Sequence, residues 1–130
     1  MIAKAKARYL RITPRKFRQI IPLVKGRRVE EAIAILASVN KRASVYASDI
    51  LKSALASAKR LRKDVDTSSL YVTKMIADCG PMLKRFRAAS MGRAVMVRKR
   101  TCHITVELDE VKTKGAETPH APHKAGRKKG

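Results

Sequence analysis

Small apolar and basic positions alternate at the start of the chain. Ala3, Ala5, Ala7 and Tyr9 are interleaved with Lys4, Lys6 and Arg8. A period of two predicts a strand with one small-residue face and one basic face. Thr13-Pro14 then reads as a helix start, with Thr as N-cap and Pro at the first helical position. Phe17, Ile20, Ile21 and Val24 follow at helical spacing. Pro22 lies inside that run and removes a backbone hydrogen bond, which predicts a kink or an early end. Gly26 supplies the C-terminal cap. Val29, Ala32, Ile33 and Leu36 predict a second short helix, with Glu30 and Glu31 in the first turn, where they suit its dipole. Asn40 is placed to cap a third and longest helix. Its stripe is Ala43, Tyr46, Ala47, Ile50, Leu51, Ala54, Leu55, Ala58 and Leu61, and its many alanines allow close packing on a neighbour.

Residues 70–79 have strand composition with a blurred alternation. Residues 103–108 alternate cleanly, with Ile104, Val106 and Leu108 on one face and His103, Thr105 and Glu107 on the other. The 23 residues between, 80–102, carry no core-forming pattern. A structureless loop of that length inside a compact domain is uncommon, so the stretch is expected to be an antiparallel hairpin projecting beyond the sheet. With a turn near Ser90-Met91, opposed residues sum to about 181, and Lys74 faces Glu107 while Cys79 faces Cys102. The arms then project on the order of 35 Å at ~3.3 Å per residue. A lone two-stranded ribbon is marginal in water, so this one is expected to depend on a partner. Residues 111–130 hold two Pro, three Gly and six Lys/Arg, and are expected to be a disordered tail. The expected organisation is one domain over residues 1–110, including the hairpin at 80–102, followed by a basic tail over 111–130.

Charge decides what such a chain is for. Lys plus Arg number 31 against 10 Asp plus Glu, a net charge of +21 over 130 residues. A compact chain of that charge repels itself unless a polyanion neutralises it. The cations are unevenly spread: residues 1–28 carry ten and residues 79–106 carry seven, with no acid in either stretch. A solvated face explains a short charge run but not two long stretches purged of Asp and Glu. Nucleic acid is therefore the first candidate partner and an anionic membrane surface the second. The membrane reading lacks a continuous basic amphipathic helix. The longest apolar run, Ala32 to Ala37, is six residues, against the about 20 a spanning helix needs. No secretory pattern is visible at the N-terminus, and two cysteines make no disulfide framework. The expected location is the cytosol.

Catalytic signatures are missing. There is no P-loop, GxGxxG, GxSxG or HExxH. Cys79, Cys102, His103, His120 and His123 are the possible metal ligands, but paired-ligand spacing is lacking, so the thiols are expected to be reduced and no metal or cofactor is expected. The chemistry that stands out is cationic. Lys84-Arg85-Phe86-Arg87 places an aromatic among cations on one arm of the hairpin, and Arg98-Lys99-Arg100 crowds the other. Strand alternation sends Arg98 and Arg100 to one face and Lys99 to the other, so the ribbon is basic on both sides. That suits a ribbon threaded through RNA and touching phosphate all round. Phe86 either stacks on a base or covers the ribbon's neck.

Gly80-Pro81-x-x-Lys84-Arg85, Gly92-Arg93-Ala94, and the run Arg98-Lys99-Arg100-Thr101-Cys102-His103-Ile104-Thr105-Val106 resemble the bacterial-type large-subunit ribosomal protein family twenty-two. So do the stretch from Ala7 to Lys16, Leu23-Val24-Lys25-Gly26, and Ala32 to Leu36. The resemblance covers residues 3 to 109. It implies an α+β fold, with a three-stranded antiparallel sheet packed on three helices and a long projecting hairpin. It implies a structural, non-enzymatic constituent of the large ribosomal subunit that binds ribosomal RNA, supports assembly and lines the nascent-peptide exit tunnel with its hairpin tip. Implied partners are several domains of large-subunit ribosomal RNA, neighbouring ribosomal proteins and the nascent peptide, with no membrane. Expected RNA contacts are Lys4, Arg8, Arg11, Arg15, Lys16, Arg18, Lys84, Arg85, Arg87, Arg93, Arg98, Lys99 and Arg100. The expected tip is Phe86, Arg87, Ala88, Ala89, Ser90, Met91, Gly92 and Arg93. Two positions depart from the family's habit: Ala89 stands where a basic residue is usual, and Pro22 where a helix-compatible polar residue is usual.

Overall fold

The computed structural model describes residues 1–63 and 66–110; the expected tail, with His120 and His123, lies outside the described residues. Strand β1 (Ala3–Leu10) leads into two short helices, α1 (Pro14–Arg18) and α2 (Ile21–Val24). Helices α3 (Val29–Ser38) and α4 (Arg42–Leu61) follow. A 3-10 turn (Thr67–Ser69) precedes β2 (Leu70–Cys79), and the chain then runs through β3 (Leu83–Ala88), β4 (Ala94–Lys99) and β5 (Cys102–Glu110). Two antiparallel ladders result: a three-stranded sheet in the order β1-β5-β2, and a separate two-stranded ribbon of β3 and β4.

The sheet buries one face against the helices. Ala3 and Ala5 of β1, Val72, Met75 and Ala77 of β2, and Ile104, Val106 and Leu108 of β5 are all buried. They meet Phe17, Ile20, Val24, Val29 and Leu36 from α1 to α3, and Ala43, Ala47, Ile50, Leu51, Ala54 and Ala58 from α4. Its alanines let α4 pack closely on β1, and Phe17, Ile20 and Leu51 are among the largest fully buried side chains of the core. Each such large side chain contributes about 1.5–3 kcal/mol by leaving water.

Pro22 and Gly26 act as the sequence predicts, while Tyr9, the cap of α4 and Leu61 depart from the expected pattern. The alternation of β1 breaks at Tyr9, which is 58% exposed with φ 57°, because a bulge shifts the register between Ala7 and Leu10. Pro22 divides the first helix in two and sits in the first turn of α2, where its missing N–H has no helical partner to lose. Gly26, at φ 80°, ends that helix, and its N–H donates to the Val72 carbonyl at 2.8 Å, tying the turn to β2. The cap of α4 falls on Lys41 rather than Asn40. Its first turn is held instead by Ser44, whose Oγ donates to the Val39 and Lys41 carbonyls. At the other end, Leu61 lies off the buried stripe at 68% exposure.

The blurred alternation of β2 also has a cause: its register against β5 shifts between Val72 and Lys74, leaving an extra residue, Thr73. Beyond the bulge Lys74 faces Glu107 and Cys79 faces Cys102, as the sequence suggests. That register does not persist into the ribbon. There Leu83 faces Lys99 and Phe86 faces Met96, one residue out of step with the stem. The slip occurs at the neck, where Gly80, Pro81 and Met82 run opposite Arg100 and Thr101. The hairpin is thus a sheet and a ribbon joined at a packed neck.

Candidate nucleic-acid interface

The neck is held by short-range geometry. The Gly80 N–H donates to the Thr101 carbonyl at 2.9 Å, and Thr101 Oγ1 donates to the Pro81 carbonyl at 2.7 Å. Thr101 is buried although polar, and this bond satisfies its hydroxyl. Gly80 packs so closely on Thr101 and on the His103 ring that a Cβ at this position has no room.

This rigid joint brings cations from four parts of the chain into one groove of about 600 Å³. Arg11 comes from the turn after β1, Lys16 from α1, Arg42 from the start of α4, and Arg85, Arg98, Lys99 and Arg100 from the two arms of the ribbon. Ile12, Thr13, Leu83 and Thr101 complete its lining. Seven fixed positive charges converge on a cleft lined by no carboxylate. Such a concentration of like charge in one cleft gives it a strongly positive potential. A second cleft of about 300 Å³ opens on Arg15, Arg18 and Arg100, together with Cys79 and Met82. Arg18 is committed to the fold, since Nε and one terminal nitrogen both donate to the Ala77 carbonyl, at 3.2 and 3.0 Å.

The remaining expected contacts separate by place. Lys4 lies toward the far end of the sheet and pairs with Glu107 at 3.1 Å. Arg8 lies over the Tyr9 ring, 5.3 Å from its centroid. Lys84, Arg87 and Arg93 are exposed on the ribbon and line neither cleft. Lys84 stands directly opposite Arg98, and like charges facing each other across a ladder destabilise it. An isolated ribbon therefore carries a cost that a polyanion relieves. Both ribbon faces are open to solvent: Phe86 is 75% exposed, and only Leu83 and Val97 are even half-buried.

The tip is a tight turn. The Ala89 N–H donates to the Arg93 carbonyl at 2.8 Å, enclosing Ser90, Met91 and Gly92. Met91 and Gly92 both take left-handed backbone, at φ 58° and 67°. Met91 stands out at the apex, 95% exposed, and Ala88 faces Ala94 just below it. The apex is therefore small at its shoulders, with an unbranched thioether at its summit.

Sequence reasoning missed Arg42. It sits in the charge-balanced middle of the chain, with no neighbouring run to mark it, and joins the groove only because α4 begins beside the neck. It also missed the pairing of Tyr9 with His103, whose rings meet edge-to-face at 4.8 Å. No group of three or more His, Cys, Asp or Glu side chains suited to a metal ion occurs among the described residues.

The fold and the clefts define a small, strongly basic α+β protein whose exposed arm is rooted in a cation-lined neck. The chain belongs to the ribosomal protein L22p/L17e family, which matches residues 5–109. It is 45% identical over 112 residues to the large ribosomal subunit protein uL22 of Halothermothrix orenii (strain H 168 / OCM 544 / DSM 9562), covering 86% of this chain and 98% of that protein. It is accordingly a structural, non-enzymatic constituent of the large subunit of the cytoplasmic ribosome.

Proposed function

We propose that the neck groove and both faces of the ribbon bind large-subunit ribosomal RNA, that this binding supports assembly, and that the ribbon's tip lines the nascent-peptide exit tunnel. The observation that carries the reading is the convergence of Arg11, Lys16 and Arg42 with Arg85, Arg98, Lys99 and Arg100 on one cleft. Cations from the body and from the arm share that cleft, so one RNA backbone lying in it fixes the arm's direction as well as its position. Several domains of the RNA, neighbouring ribosomal proteins and the emerging peptide are the partners. Residues 1–110 act as one folded unit from which the arm extends, with residues 111–130 a basic tail. Arg87 and Arg93 hold phosphates beside the apex, and Phe86 offers an exposed ring for stacking on a base. The narrow shoulders at Ala88, Ala89 and Ala94 leave space for a passing chain.

The reading separates tip from stem. Ribosomes carrying Ala89→Trp should assemble in near-normal yield but change macrolide sensitivity or the pausing of particular nascent chains in ribosome profiling. The pair Arg98→Glu, Arg100→Glu should instead lower large-subunit yield, through repulsion of phosphate. Unchanged profiling and drug response in the first variant, together with normal assembly in the second, would overturn the proposed division.

A further inference from the structure

Cys79 and Cys102 are directly opposed on β2 and β5, at the point where the sheet ends and the neck begins. The Gly80 N–H to Thr101 carbonyl bond defines which kind of opposed pair they are. In an antiparallel ladder, that bond flanks the 79–102 pair, which makes it a non-hydrogen-bonded pair, the kind in which Cα atoms come to about 4.5 Å and side chains lie closest. A disulfide requires Cα atoms about 4.4–6.8 Å apart. Both cysteines are free thiols, Cys79 exposed and Cys102 buried.

We propose that Cys79 and Cys102 are a redox-responsive pair that closes, on two-electron oxidation, into a cross-strand disulfide locking the base of the ribbon. This inference is independent of the RNA reading, since it rests on the strand register alone. The two thiols have different roles. Cys79 opens into the cleft shared with Arg15, Arg18 and Arg100 and is the sulfur an oxidant reaches. Burial raises the Cys102 thiol above its ordinary 9.0, with the nearby Cys79 adding to the effect, so Cys102 waits protonated.

With a peroxide as oxidant, the Cys79 thiolate attacks one peroxide oxygen, the O–O bond breaks, and hydroxide leaves, giving a sulfenic acid. Cys102 then attacks Cys79 Sγ. The S–S bond forms, the S–O bond breaks, and water departs with the Cys102 proton. A thiol reductant reverses the change by exchange. The fold holds the two sulfurs ready. Gly80 is wedged on Thr101, and Thr101 is bonded to Pro81, so the strands cannot drift apart at this point without breaking the neck. The bond would close a loop containing the whole ribbon, pinning its root while leaving the tip free.

The test uses the purified full chain at micromolar concentration, treated with hydrogen peroxide and mapped by non-reducing peptide mass spectrometry. The account expects a monomer that has lost two hydrogens, with the Cys79 and Cys102 peptides linked, and reversal by dithiothreitol. Intrachain product should exceed dimer about tenfold or more, because neighbouring groups within one chain meet at millimolar effective concentration. Cys79→Ser should abolish the link and leave Cys102 slow to alkylate. Cys102→Ser should leave Cys79 to accumulate as sulfenic or sulfinic acid. Circular dichroism of the oxidised wild type should match the reduced protein. Over-oxidised Cys79 with Cys102 still free in the folded wild type, disulfide-linked dimers as the main product, or a link that forms only on unfolding would each overturn the proposal.

Discussion

The backbone N–H of Tyr9 donates to Nδ1 of His103 at 3.0 Å. This bond accounts for a residue pair that otherwise looks anomalous: an exposed tyrosine with φ 57° beside a histidine on the central strand. The bulge in β1 turns the Tyr9 N–H out of the β1–β5 ladder, and the imidazole replaces the missing carbonyl. The bond assigns the remaining proton of the neutral ring to Nε2. His103→Ala should remove the acceptor and the edge-to-face ring contact, at a cost of about 1–2 kcal/mol. Urea denaturation would register this as a lower midpoint with an unchanged slope. His103→Gln, which can still accept, should recover part of it, and equal losses in the two variants would show that the bond is incidental.

The neck gives a sharper expectation. A Cβ on Gly80 meets Thr101 Oγ1, and turning that hydroxyl away breaks its bond to Pro81 and leaves it buried without a partner. Gly80→Ala should therefore destabilise by about 1–3 kcal/mol and loosen the amides of residues 80, 82, 100 and 101 in hydrogen exchange. A neutral Gly80→Ala with unchanged exchange would mean that the neck is not the rigid joint described.

The ribbon should be dispensable for folding. It forms its own ladder, and none of its residues belongs to the buried core. Replacing residues 82–100 with a short turn should leave a cooperative unfolding transition and native near-ultraviolet dichroism. Phe17→Ala, by contrast, empties a fully buried site in the body and should cost about 3–5 kcal/mol. A molten product from the deletion would place the ribbon in the core.

Cys102 links stability to alkaline pH. Burial holds its folded-state thiol above the ordinary 9.0, so the unfolded chain releases this proton first. The contribution is present in full below about pH 9 and is lost as pH rises through the folded-state value. Reduced wild type should lose stability faster than Cys102→Val as pH rises above about 9, as read from paired denaturation curves. Parallel losses would remove Cys102 from the cause.

What the sequence disclosed, and what it did not, follows from the range of the interactions. Residues 3–7 and 103–108 were legible as strands because each buries one face, which writes a period of two into the chain. The stem pairing of Cys79 with Cys102 was anticipated at a sum of 181, although the ribbon nearer the turn pairs at 182. The slip into the ribbon was not, since it depends on how Gly80-Pro81 packs on Thr101. Tyr9 was assigned to the inner face because a bulge has no compositional mark. Arg42 was invisible as a site residue for a different reason: the groove is assembled from elements far apart in sequence, and only folding brings the start of α4 to the neck. The cations of residues 84–87 and 98–100 were legible because they cluster along the chain itself.

The central claim is that the cation-lined neck and the ribbon bind ribosomal RNA, and the salt dependence of that binding tests it most directly. Each neutralised phosphate adds roughly 0.7 to 0.9 to the slope of log affinity against log salt. With about ten cations engaged, the full chain should show a slope of roughly seven to nine on large-subunit ribosomal RNA fragments. Arg85→Gln, Arg98→Gln and Arg100→Gln together should lower it by about two to three while leaving the body folded. A slope near one for the wild type, or a triple variant indistinguishable from it, would contradict the account.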